Sequence, residues 1–132
     1  MPLTVTILPE ARLALIEGAG FVTGSDIAEA CLTMGRAPNW EGGFDNVWDF
    51  SAATQIDITP DELDEIVALT HTYADLVGGN KVVFVSSRDA IAALARLFEL
   101  RTAALNRAYH VTHTRAAAAE WLGLAPGTLD GV

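Results

Sequence analysis

Apolar residues follow two rhythms along the chain, short β-branched runs and longer stretches with an apolar residue every three or four positions, and the two alternate. LTVTIL at 3–8 predicts a strand, Pro9-Glu10 breaks it, and the apolar run at 12–16 predicts the second strand of an antiparallel hairpin. Gly18 and Gly20 read as flexible punctuation. Thr23 or Ser25 can then cap a helix whose Ile27, Ala30, Cys31 and Met34 fall at i, i+3, i+4 and i+7, a face suited to burial on a sheet.

The segment 35–44, GRAPNWEGGF, is a loop by its glycine and proline content, with Trp40 placed to cover the edge of the core. A strand at 46–50 follows, apolar on both faces as in a central strand, except for Asp49. The polar residues 51–59 read as a loop. Thr59-Pro60-Asp61-Glu62 is a strong helix start, with a capping hydroxyl, proline at the first helical position and glutamate three residues after the cap. Leu63, Ile66, Val67, Thr70, Tyr73, Ala74 and Val77 form its stripe, and Gly78-Gly79 ends it.

KVVFV at 81–85 is a buried strand, and Ser86-Ser87-Arg88-Asp89 supplies turn and cap residues for a helix at 90–100. That helix is apolar on most sides, since Ile91, Leu94, Leu97, Phe98 and Leu100 do not share one narrow stripe. A last strand at 108–111 leads to a short helix from Thr114, anchored by Trp121 and Leu122, and 125–132 reads as a loose tail after a domain spanning 1–124. Alternating strands and helices imply a single-domain α/β fold: a mixed, mostly parallel sheet of about five strands flanked by about four helices.

Composition narrows the function classes. A chain of 132 residues, 51% hydrophobic and 19% charged, is sized for one core, and its single Cys31 cannot form an internal disulfide and is read as packing. The net charge of −9 opposes nucleic acid and leaves at most peripheral contact with an anionic membrane. The charge is uneven: −11 through Asn80 and +2 from Lys81 onward, which suggests a basic patch from Arg88, Arg96, Arg101, Arg107 and Arg115. No apolar run is long enough to span a bilayer and the first residues lack a basic secretory start, so a cytoplasmic location is expected.

No phosphate-binding glycine loop, nucleophile elbow or Cys-His pairing is present, and no cofactor is implied. His110 and His113 would point to opposite faces of a strand and are too few for a closed metal site; no metal is expected. Asp61, Glu62, Asp64 and Glu65 are acids of the kind a helix N-terminus favours. Asp57 reads as a turn residue, whereas Asp49 in an apolar strand needs a backbone amide or an arginine beside it.

Three stretches carry a family resemblance: FVTGSDIAEA entering the first helix, VWDFSAATQIDITPDEL at the centre, and TRAAAAEWL near the end. In order and spacing they resemble the SpoIIAA-like proteins, a branch related to STAS domains (sulfate transporter and anti-sigma factor antagonist). WDFS and Asp57-Ile58-Thr59-Pro60 are similar to the STAS phosphoacceptor segment, which would place Thr59 where the phosphorylated serine stands. Ile58 and Pro60 depart from that pattern, replacing a serine and a glycine. The resemblance implies a non-enzymatic domain, with a mixed sheet related also to CRAL-TRIO folds, that binds apolar or lipid-like ligands or the membrane surface.

The expected site therefore lies between the 51–59 loop and the 90–100 helix, for an apolar or lipid-like small molecule or a protein partner. Loops at the carboxyl ends of strands and the surplus apolar helix supply the candidates Ser51, Asp57, Thr59, Ser86, Ser87, Arg88, Leu94, Arg96 and Leu97. A partner switch controlled by phosphorylation of Thr59 is the alternative, and a homodimer would equally cover the apolar helix.

Overall fold

The computed structural model describes residues 2–73 and 80–130; Ala74, Val77 and Gly78-Gly79 of the predicted second helix lie outside them. Five strands form one sheet in spatial order equal to chain order: β1 (Leu3–Leu8), β2 (Leu13–Thr23), β3 (Asp45–Asp57), β4 (Lys81–Val85) and β5 (Ala108–Thr112). The β1–β2 pair is the antiparallel hairpin, and β2 through β5 are parallel neighbours. Parallel neighbours need crossovers, supplied by α1 (Gly24–Arg36), α2 (Pro60–Thr72) and α3 (Asp89–Arg101), with α4 (Arg115–Leu122) following β5.

The side-chain period of two sorts the strands into two cores. Ala14, Ile16, Trp48, Phe50 and Val82 face α1, α2 and α3, where Ile27, Met34, Ile66 and Ile91 cover them. Leu13, Leu15, Val47, Val83 and Val85 face the other way and are covered by Ala118, Ala119 and Leu122 of α4. Strands buried on both faces explain the unbroken apolar runs.

Four expectations are corrected. Gly18 and Gly20 are not punctuation: both lie inside β2, which runs to Thr23. Residues 51–57 are not a loop but the second half of β3, paired with that long β2 as far as Thr23↔Asp57. This half is mostly exposed, so its polar composition looks like a loop although its backbone is paired. The register slips twice, between Glu17 and Ala19 and between Gly20 and Phe21, each time placing an extra residue on β3. Gly20 sits at one slip with φ of +69°, a conformation open to glycine.

The tail is not loose through Asp130. Leu129 is 1% exposed, joins the core beneath α4, and its carbonyl accepts from Arg115 Nη1 at 3.0 Å. Nor do the five arginines form a patch. Arg96 pairs with Glu99 and Arg101 with Asp64, Arg88 binds strand carbonyls, Arg107 is half-buried, and Arg115 reaches into the α4 side of the sheet.

Candidate ligand cavity

Between the sheet and the three helices α1, α2 and α3 lies a cavity of about 130 Å³. Trp48, Phe50 and Phe84 form its floor, with Ile27 and Cys31 from α1, Leu69 from α2, and Leu94 and Phe98 from α3 around it. The volume is close to that of engineered apolar cavities that hold one benzene-sized molecule, so about six carbons fit without rearrangement.

Polar groups enter the lining near the amino ends of the parallel strands. Asn46, at the start of β3 and fully buried, accepts from Trp48 Nε1 at 2.8 Å through Oδ1. The indole can only donate, so this bond fixes the amide orientation and leaves Asn46 Nδ2 free of it. Among the described residues neither Asn46 Nδ2 nor Trp40 Nε1, both buried, has an acceptor. Trp40 packs edge-on against Phe44, with ring centroids 5.4 Å apart.

Arg107, immediately before β5, donates from Nε to Asn80 Oδ1 at 2.8 Å and from Nη1 to the Tyr109 hydroxyl at 3.1 Å. Asn80 in turn donates to the Phe44 carbonyl at 2.9 Å. These bonds knit together the starts of β3, β4 and β5. Burial pulls the guanidinium below its ordinary value, opposed by Tyr109 and Cys31, but an arginine starting so high stays protonated. Burial also pushes the Cys31 thiol up to about 11, with Arg107 opposing, so it is a neutral, weakly nucleophilic wall group.

A second polar cluster stands on the opposite face. Glu17 and Asp49 are direct partners across β2 and β3, and Arg115 at the start of α4 bonds both, reaching Asp49 Oδ2 from Nε at 2.5 Å. Asp49 also accepts from Ser51 N at 2.9 Å and Ser51 Oγ at 2.6 Å. Burial opposes ionisation of Asp49, but these bonds together outweigh it and hold its carboxyl below the usual 3.8. The cluster pins α4 and the tail to the sheet.

Among the predicted site residues, Leu94 lines the cavity. Leu97 points outward, 43% exposed, and Arg96 is exposed beside Glu99. Ser51 serves Asp49 on the far face, and Asp57 is exposed at the end of β3. Ser86 is buried and accepts from Arg88 N at 3.1 Å, while Ser87 is exposed. Arg88 Nη2 donates to the carbonyls of Ala53 and Thr54 at 2.8 and 2.7 Å, satisfying the edge of β3 that β4 is too short to reach.

Thr59 caps α2 in a full capping box: its hydroxyl accepts from Glu62 N at 3.1 Å, and Glu62 Oε1 accepts from Thr59 N at 2.9 Å. The other oxygen of Glu62 accepts from Ser25 N and Ser25 Oγ, so one carboxylate joins the starts of α1 and α2. The bond from the Thr59 amide, then those from Ser25, hold this carboxyl below its ordinary value. The histidines are dispersed: His110 stacks on Trp121 at 4.9 Å, His71 lies beside the Arg101 carbonyl, and His113 is exposed.

Sequence reasoning missed the cavity's floor and its polar end. Trp48, Phe50 and Phe84 read as ordinary strand residues, and Arg107 lies 67 positions from Trp40 and 61 from Asn46, so only the sheet order brings it to their end. An asparagine opening an apolar strand was the one local signal.

No protein-family model and no curated protein matches the chain. Among solved structures it is similar to an uncharacterised protein of the DUF3478 family with a SpoIIAA-like fold from Shewanella loihica PV-4, with a TM-score of 0.60 over 91% of each chain and 10% sequence identity. The protein is thus a single-domain α/β protein whose described residues form a mostly parallel five-stranded sheet and four helices. Its fold is SpoIIAA-like, as the order of its sequence motifs implied.

Proposed function

We propose that the protein is a non-enzymatic binding domain that holds one small, largely apolar molecule in the cavity between the sheet and α1, α2 and α3. The observation that carries this reading is the cavity itself, about 130 Å³ of space walled by aromatic and aliphatic side chains, where close packing is the rule for protein interiors. Its volume accommodates an apolar body of about six carbons. Cys31 is neutral at physiological pH, and the polar lining groups act as donors rather than as a base or nucleophile.

Phosphorylation of Thr59 forms no part of the proposal, because a phosphate there would meet the Glu62 carboxylate that already bonds the Thr59 amide.

Binding of 1-hexanol, followed by calorimetry and thermal unfolding, tests the reading. A ligand present at 100 times its Kd should stabilise the protein by about 2.7 kcal/mol and raise its Tm. Ala95 is buried in the lining, and Ala95→Leu should fill the space and abolish that rise. Failure of the native chain to bind 1-hexanol or any other probe with the same six-carbon body, whatever its head group, would overturn the proposal.

A further inference from the structure

We propose that the cavity selects a small carboxylate, taking its oxygens with Trp40 Nε1, Asn46 Nδ2 and Arg107 and its apolar body among Trp48, Phe84 and Phe98. This rests on the cavity being a ligand site and goes further by naming what occupies its polar end.

Three observations on the lining support the anion. Trp40 is 8% and Asn46 0% exposed, and each carries a donor that has no acceptor among the described residues. A buried donor without a partner is costly, and natural interiors leave few, so an acceptor belongs there. The unmet groups are both donors: Trp40 Nε1 and Asn46 Nδ2 can only donate, while Asn46 Oδ1 already accepts from Trp48. An alcohol or amine would bring a further donor to a place that lacks acceptors, whereas a carboxylate brings acceptors only.

The second observation is charge. Arg107 is a half-buried cation in the same lining, and among the described residues no carboxylate lies within ion-pair distance of it. Its two protein bonds go to neutral oxygens, those of Asn80 and Tyr109, which leaves most of its five N–H donors for another acceptor. The protein carries −9 overall, so a cation left without a carboxylate here contrasts with its surroundings.

The third is placement. Asn80 links Arg107 to the carbonyl of Phe44, which packs on Trp40 just before β3, and Asn46 is the second residue of β3. The donors thus belong to one corner of the fold. Bonds to an ionised acceptor are the stronger class, and a guanidinium matches the two oxygens of a carboxylate. The volume accepts a body the length of hexanoate.

The test is calorimetric titration of the whole chain at neutral pH with hexanoate, 1-hexanol and hexylamine, which share one apolar body and differ in the head. Hexanoate should bind about tenfold tighter than 1-hexanol, the gain expected from one charge-assisted bond, and hexylamine should bind weakest. Trp40→Phe keeps the aromatic packing and removes one donor. It should fold normally and lose most of the hexanoate preference, read as the ratio of the hexanoate and 1-hexanol affinities measured on that same variant.

Arg107→Met should do the same, and Trp40→Phe keeps the test open if that variant fails to fold. Equal or weaker binding of hexanoate relative to 1-hexanol overturns the carboxylate assignment alone. So does an unchanged preference in Trp40→Phe. Failure of all three probes to bind overturns the cavity reading together with it.

Discussion

At the residue scale the most consequential group outside the cavity is Asp49. Its side chain is 5% exposed, yet it remains ionised because Arg115 and Ser51 meet its oxygens. Replacing it by asparagine leaves Arg115 with Glu17 alone. Asp49→Asn should lower stability by about 2 to 3 kcal/mol, less than the loss of a wholly buried pair because Arg115 keeps 24% of its side chain exposed. The folded pKa is depressed, so this stabilisation is present above the unfolded value near 3.8 and is lost as pH falls through the folded one. Urea unfolding from pH 7 to pH 2 should therefore show the two proteins differing by a constant amount down to about pH 4 and converging below it.

At the element scale, the starts of α1 and α2 act as a unit. Glu62 closes the capping box of its own helix and binds Ser25 at the first turn of the other. That approach depends on Gly24, where a Cβ would stand 2.4 Å from Glu62 Cβ, too close for either backbone to hold its place. Gly24→Ala should destabilise by about 1 to 3 kcal/mol, the range for overpacking, despite alanine's better helix propensity. Thermal unfolding should show the lower Tm, and an equal or higher Tm would mean that the two helices are not locked together. The extended half of β3 has a comparable dependence: its outer carbonyls at Ala53 and Thr54 rely on Arg88, a residue contributed by the turn after β4.

At the scale of the whole molecule, the single sheet separates two interiors with different characters. The α4 side is a closed aliphatic core completed by Leu129 from the end of the described chain. The α1–α3 side is aromatic and incompletely filled. Truncation after Leu124 removes the buried Leu129 and the carbonyl that holds Arg115, and should cost about 2 to 4 kcal/mol by the scale of buried leucine losses. A truncated chain as stable to urea as the full one would show that the tail does not serve as core. The same truncation should leave the binding of small apolar probes unchanged, since none of the lining lies beyond Arg107.

Much of this architecture was legible because it is local. The strand runs at 3–8 and 81–85, the capping box at Thr59 and the stripe Leu63, Ile66, Val67 and Thr70 are written in period and cap chemistry, and they fold as read. The polar half of β3 was not legible: its pairing depends on a partner strand more than thirty residues away, and its exposed side chains resemble those of a loop. The apolar excess of α3 pointed toward the cavity through Leu94 and Phe98, but Leu97 and Leu100 stand on its outer side.

The sequence by itself determined the alternation of strands and helices, the cap that starts α2, and the need of Asp49 for a cationic or amide partner, because each depends on neighbours within a few residues or on the chemistry of one group. Tertiary structure alone decided that Arg115 is that partner, that Glu62 joins two helices, and that Trp40, Asn46 and Arg107 share one end of a cavity. Those meetings are set by the order of strands in the sheet, which brings remote segments side by side and leaves no mark on the local pattern of either.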